Sequence, residues 1–454
     1  MSYARTVGRI LVVGLAVLAA GGCGNGDDEA QPHREIDEPA IEDGDKAQPP
    51  VEIDEPVIEK PDAEALTFNS ELTLGVRILR LKEYTLPTEM EYGRPKSQLV
   101  GITPSDEPIV IPGGVRWWVE PGDVSMSDLV AEIEAKGIPG VKLRRITTDQ
   151  DLAHFKGLSQ MRTLVLRRTQ ITDAGLEHLR GMTQMQHLDL YQTRVTDAGL
   201  KHLSGMTQMR DLDLYRTQIT DAGLQHLRGM TEMQNLGLGR TPVTEAGLKH
   251  LSGMTQMRNL DLQHTRVTDA GVEHLADMTQ IRRLSLRFTR VTDAGLAHLL
   301  GMNEMLDLNL GTRQITDAGL EHLRGMTQLQ RIRLGHSQIT DAGLKHLSGM
   351  TRMRTLRLPD TQITDAGLEH LLDMNELQFL ELRGTQISGP GLVHLRGMTQ
   401  LQELWLHNTQ VTDEDLYYIH GMAQLRRLWL VGTQVTNEGL AELQKALPQL
   451  RILR

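Results

Sequence analysis

The sequence predicts an α/β solenoid in which a short strand and a short helix alternate along an axis. Three observations carry the prediction. The string Thr-Asp-Ala-Gly-Leu, or a close variant, returns every 24 residues at thirteen positions from Thr148 to Thr436. Within each period a Leu-x-Leu, such as Leu164 and Leu166, has the two-residue alternation of a strand, and Leu176, Leu179 and Met182 fall three apart on one helical face. Constant spacing without slippage means one structural unit stacked on copies of itself.

Each part of the unit has a local reason. Thr172 or Asp173 is a natural N-cap, and Gly181 suits a left-handed residue just past the helix. The apolar side chains of one coil (Leu164, Leu166, Ile171, Leu176, Leu179, Met182 and Met185) cannot by themselves offset the entropy of ordering 24 residues, so stability must come from stacking. The methionine columns read as core filler rather than a metal site.

Ahead of the array the chain changes character three times. Residues 1–23 read as an export signal: Arg5 and Arg9, an apolar run from Ile10 to Ala20, then Ala-Gly-Gly-Cys ending at Cys23. Eleven apolar residues reach only about 16 Å as a helix, too short for a bilayer core of about 30 Å. Residues 24–65 hold 15 acidic residues against Arg34, Lys46 and Lys60, a net −12, with EIDEPAIE at Glu35–Glu42 recurring as EIDEPVIE at Glu52–Glu59. That composition reads as a disordered acidic tether, a solvated spacer before a role in holding a cation or basic partner. Residues 66–140 read as an N-terminal cap rich in strands, at Leu72–Leu81 and Ile109–Gly122, with a capped amphipathic helix at Ser125–Gly137. Trp117 and Trp118 are expected to cover the first coil of the array, or else to form a ligand platform. The array occupies 141–454.

Composition excludes several classes. With one Cys the 454-residue chain is no disulfide scaffold, and 24% charged residues with a mean hydropathy of −0.31 argue against a polytopic membrane protein. The net charge of −11 belongs to the tether, and residues 66–454 carry about −1. Nucleic acid is therefore not an expected partner. No phosphate-binding loop or nucleophile elbow occurs, so catalytic residues, metal ligands and cofactors are expected to be none; a hydrolase hidden in 66–140 is the enzymatic alternative.

Two resemblances follow from these residues. The segment MRTLVLRRTQI, Met161 to Ile171, resembles the L-x-x-L-x-L-x-x-N/C-x-L core of leucine-rich repeats, and the likeness extends over about 310 residues. The ITDAGL half is similar to the cysteine-containing subclass known from F-box proteins. Thr replaces Asn or Cys, as at Thr169 and Thr193, with Ser337 and Arg313 as exceptions. The resemblance implies a curved solenoid with parallel strands on the concave face and short helices on the convex face, and no F-box-like segment precedes it. The sequence ending at Cys23 resembles the lipobox of bacterial lipoproteins, with Ala20 where Leu is usual. It implies a lipid on Cys23 and a place in the cell envelope, membrane-anchored and facing the periplasm or exterior, with ordinary secretion or an uncleaved anchor as alternatives.

Function is expected on the variable strand positions, whose side chains form an extended surface. Along the axis that surface passes from Asp189, Asp213, Tyr191 and Tyr215, through Arg333 and Arg357, to Phe379, Trp405 and Trp429. Adjacent strands lie about 4.8 Å apart, so each Tyr pair and Trp pair should be neighbours. These nine residues are the expected contacts for a protein or peptide, with a glycan as alternative and a monomeric array; Trp405 and Trp429 could instead cover the C-terminal coils. The recurring His column, as His178 and His202, reads as packing between coils, and the Asp column, as Asp173 and Asp197, as a complement to helix N-termini.

Overall fold

The computed structural model describes residues 66–68, 70–79, 97–103, 109–111 and 116–454. The expected export signal with Cys23 and the acidic tether lie outside the described residues. The chain divides into Met1–Glu59 and Lys60–Arg454, and all that follows concerns the second unit.

The N-terminal part begins with β1 (Leu66–Phe68), antiparallel to β4 (Ile109–Ile111). Strand β2 (Leu74–Leu79) lies between β3 (Ser97–Thr103) and β5 (Trp117–Pro121), antiparallel to both. Helix α1 (Met126–Lys136) starts at Ser125, whose hydroxyl accepts from the Asp128 amide, and stops at Gly137 with φ +60°, as its sequence predicts. The chain then enters β6 (Gly140–Lys142), which runs parallel to β5 through Val119 and Val141. From β6 onward every strand is parallel to the next. Twelve three-residue strands, β7 (Thr163–Val165) to β18 (Arg427–Trp429), each pair with the residue 24 positions on, and β19 (Arg451–Leu453) closes the series. The cap is thus continuous with the repeat sheet, and Trp117 packs into the shared core against Phe68 at 5.4 Å.

The seven apolar side chains predicted for one coil are all 1% exposed or less. Their spacing of three has a consequence for helix type. Leu179 and Met182 each donate their amide to the carbonyl three residues back, at 3.1 Å, a 3₁₀ pattern at the tail of the helix, which ends at left-handed Gly181; Met185 closes a separate turn on Met182. A 3₁₀ turn eclipses residues i and i+3, which stacks Leu176, Leu179 and Met182 in one line. In late coils the whole helix is 3₁₀, as at Asp365–Leu371. The last coil differs: helix Asn437–Ala446 with buried Leu443, together with Leu450, covers the end of the core.

Most repeat strands are followed by a left-handed residue, for example Arg168 at φ +60°, and the next Thr hydroxyl donates to the carbonyl three residues back, as Thr169 to Leu166 at 2.6 Å. This is the work of Thr in the Asn/Cys place. Where the sequence has Arg313, the turn is rewired: Thr312, one residue early, is tucked in at 5% exposure with its amide bonded to the Leu310 carbonyl.

The aspartate column does more than complement helix N-termini. Asp173 accepts from both the backbone amide (2.7 Å) and the hydroxyl (2.6 Å) of Thr196 in the next coil. The same two-pronged latch joins Asp317 to Thr340 and Asp341 to Thr364. It also explains the glycine of the repeat, since a Cβ on Gly199 would sit 2.4 Å from the Asp173 carboxylate. Where the preceding coil offers no acidic residue, aspartate takes the glycine's place. Gly389 stands where Asp belongs, and in the following coil Asp415 replaces the glycine, accepting from the Thr412 amide and hydroxyl at 2.8 Å. Thr148, in the first coil, is served by Asp151 in the same way.

Candidate binding surface

Three side chains per coil face the concave side: those flanking the first strand leucine and the one after the second. At the N-terminal end the chain of contacts is polar and half-buried. Asp211 receives Arg116 at 2.8 Å, His187 Nδ1 and the Asn235 amide, and Asn259 in turn donates to Asn235. Burial would raise the Asp211 pKa, but the bonds from His187 and Arg116 hold it below the usual carboxylate value. Burial lowers the pKa of His187, against the pull of Asp211. Register also sets Thr163 beside His187 beside Asp211, the order of nucleophile, base and acid. Thr163 is 3% exposed, so a substrate has no access to its hydroxyl.

The expected tyrosine pair is stacked, with centroids 5.2 Å apart and planes at 15°. Both rings are sunk into the surface, Tyr191 at 7% and Tyr215 at 3% exposure, with Arg167 and Arg168 over Tyr191. Asp189 and Asp213 each accept from a backbone amide two residues on, at 3.0 Å, and Asp189 also meets Arg167. They shape the turn as well as facing the groove.

In the middle zone Arg331 and Arg333 converge on one carboxylate, Asp307, at 3.0 and 2.7 Å. Burial works to raise the pKa of Asp307, yet the two guanidiniums hold it lowered. Arg357 reaches Glu381 at 2.5 Å and lies over the rings of Phe379 and Trp405.

The C-terminal zone is an aromatic ladder. Phe379 meets Trp405 edge-on at 5.1 Å, and Trp405 meets Trp429 at 5.2 Å with planes tilted by 53°. Phe379 is 1% exposed and forms the floor, whereas both indoles are half-buried and face solvent on one side. Beneath them Glu403 is buried and pairs with Arg427 at 3.1 Å; burial raises its pKa despite that arginine. Trp429 Nε1 and His407 Nδ1 are buried without a hydrogen-bond partner. The end of the array is closed by the C-terminal helix and β19, beyond Trp429.

The convex columns behave as packing. Arg228 donates to His250 of the next coil at 3.0 Å, and Arg324 meets His346 at 3.1 Å. Among the described residues no group of three His, Cys, Asp or Glu side chains could hold a metal ion, and no helix is long and apolar enough to cross a membrane. The sequence reading passed over Arg116, whose partner lies nearly a hundred residues away, and Tyr417 on the convex side, 61% exposed under Arg396.

No family model matches the chain, and no curated protein matches it in sequence. Among solved structures it is similar to an internalin of Listeria monocytogenes, with a TM-score of 0.54 and 22% identity over 72% of this chain and 93% of that one. A leucine-rich-repeat protein of Leptospira interrogans aligns with a TM-score of 0.48 and 16% identity over 70% of this chain and 90% of that one. With the parallel three-residue strands, the 24-residue register and the first of these likenesses together, the fold is that of a leucine-rich-repeat solenoid.

Proposed function

We propose that the chain is an extracytoplasmic scaffold, lipid-anchored through Cys23, that binds a protein or peptide on its concave face without catalysis. Its principal contact is the strip from Phe379 to Trp429. The observation that carries this reading is the pair of half-buried indoles, packed against each other at 5.2 Å, with Phe379 and Arg357 against Trp405. Large preorganised aromatics on a concave face are what binding hot spots are made of, because little side-chain entropy is lost on contact.

The test is capture of partners from the native envelope by the chain and by Trp405→Ala, Trp429→Ala and the double variant, with folding followed by circular dichroism. Loss of capture with folding retained is expected. Unchanged capture by the double variant defeats the assignment, and capture of polysaccharide in place of protein moves it to the glycan reading.

A further inference from the structure

The two-pronged latch ties the coils on either side of one joint but does not cross it. Asp365 reaches the amide and hydroxyl of Ser388, and Asp413 those of Thr436 at 2.7 and 2.6 Å. Between them lies the joint from the coil of β16 (Phe379–Glu381) to that of β17 (Glu403–Trp405). There Gly389 has no carboxylate to offer, and Thr412 is bonded by Asp415 of its own coil. Thr412 is satisfied, yet neither of its two bonds crosses the joint. Strand pairing and the bond from the Gln410 amide to the Ile387 carbonyl, 2.9 Å, cross it as at other joints, so the latch is what is missing. Even at Glu245 a hydroxyl contact of 3.4 Å still reaches the next coil.

Neighbouring residues hold the departure in place. A Cβ on Gly389 would run into the Asp415 carboxylate. Gly389 also has helical angles, φ −64° and ψ −46°, directly before Pro390, where a residue with a side chain is crowded by the proline ring. Gly389, Pro390 and Asp415 therefore act as one set.

Beyond the joint the chain is tied to itself. Asp413 latches the coil of β17 to that of β18, β19 pairs with β18, and Arg454 donates to Asn437 at 2.6 Å. Two repeats and a terminal helix are too few to stay folded alone, so separation at the joint unfolds them together. The joint also divides the proposed contact strip. Phe379 and Arg357 lie before it, Trp405 and Trp429 after it, and the contacts of Trp405 with Phe379 at 5.1 Å and with Arg357 at 5.3 Å cross it.

We infer that the coils from β17 to the C-terminus open and close as one cooperative unit at this joint, and that the contact strip is assembled only while the joint is closed. The inference rests on that strip being the contact surface and adds how it is switched. A partner that touches both sides of the joint engages the closed state alone and draws the population toward it.

The test is hydrogen exchange of the purified full chain, read by mass spectrometry on peptides from successive coils. Peptides from the coils of β17 and β18 are expected to exchange at one common rate, at least tenfold faster than those from the coils of Arg331–Arg333 and Thr355–Arg357. The triple variant Gly389→Asp, Pro390→Ala, Asp415→Gly restores the repeat sequence and moves the same two bonds back across the joint. Each bond to a charged acceptor corresponds to about a tenfold factor, so the variant should slow exchange of the block at least tenfold. Pro390→Ala alone should leave the step in place. A rate that rises gradually, coil by coil, toward Arg454 is ordinary end fraying and overturns the inference, and so does a step that persists unchanged in the folded triple variant. Should that variant not fold, the profile of the unmodified chain decides. A step in exchange together with capture unaffected by Trp405→Ala and Trp429→Ala overturns the contact reading and keeps the joint. No step, with capture still lost in those variants, overturns the joint and keeps the contact reading.

Discussion

Removal of one inter-coil latch should weaken a single interface of the array by a predictable amount. Asp317 accepts from the Thr340 amide at 2.8 Å and from its hydroxyl at 2.6 Å. Hydrogen bonds to a charged acceptor contribute about 1.5 to 3 kcal/mol each when buried, and Thr340 is only half-buried, so Asp317→Ala should cost about 2 to 3 kcal/mol in all. A natural defect supplies the converse. Glu245 occupies the Asp place but is one methylene too long, and the contact left is Thr268 hydroxyl to carboxylate at 3.4 Å, with no side-chain cap on the following helix. Glu245→Asp should form the latch and add about 1 to 2 kcal/mol, since Gly271 already leaves room for it. Because arrays of repeats need not unfold in one step, the decisive assay is hydrogen exchange by coil, with urea unfolding beside it. Exchange at Thr340 and Ala342 should rise in Asp317→Ala and fall at Thr268 in Glu245→Asp. If Asp317→Ala behaves like Asp277→Ala, an exposed aspartate outside the column, the latch contributes nothing and the reasoning fails.

Two further outcomes follow from the same geometry. Gly319→Ala would place a Cβ 2.3 Å from the Asp293 carboxylate, so it should destabilise by about 2 kcal/mol, and the loss should shrink in an Asp293→Ala background; additive losses would show that the glycine serves some other purpose. Acidification should loosen the N-terminal concave zone. Burial lowers the pKa of His187, so as pH falls below about 6.5 the unfolded chain takes up its proton first. The stability contributed by neutral His187 is thus present above that range and is lost as pH falls through it to the folded value. His187→Gln should flatten the urea midpoint between pH 7 and 5, and an unchanged slope would mean that other groups, such as His336 and His407, whose pKa values burial also lowers, set it.

The repeat made most of the fold legible. Period, strand, helix cap and core column follow from spacing alone, and residues Leu164 to Met185 fall where the pattern puts them. Three things did not follow. The threefold spacing of leucine and methionine was readable as 3₁₀ winding, but an α-helix tolerates it over one turn, so the pattern alone did not decide between them. The strand Leu66–Phe68 was missed because three residues are too few to show an alternation, and Ser97–Thr103 because its exposed apolar residues, Leu99 and Ile102, do not alternate. The depth of Tyr191, Tyr215 and Phe379 was invisible because position on a face does not say what lies over it. Arg167, Arg357 and Trp405 come from neighbouring coils and bury those rings from above.

What remains informative is how the chain departs from its own repeat. The exchange of Gly389 and Asp415 is a compensated departure, in which the carboxylate lost from one coil reappears in the next and serves the same threonine. Compensation of this kind is what stability alone demands, and it leaves the outer surface unchanged. Phe288 and the tryptophans are of the other kind. A phenylalanine in a left-handed turn and two indoles half open to solvent each lower the solubility or stability of the array, offset only in part by the rings and guanidiniums packed on them. All three lie on the strand side or its edge rather than on the helices. Exposed apolar side chains also stand on the helix side, at Leu300, Leu372 and Tyr417, so exposure alone does not mark a contact; two indoles packed together on the strand side are what a partner would cover at least cost in side-chain entropy.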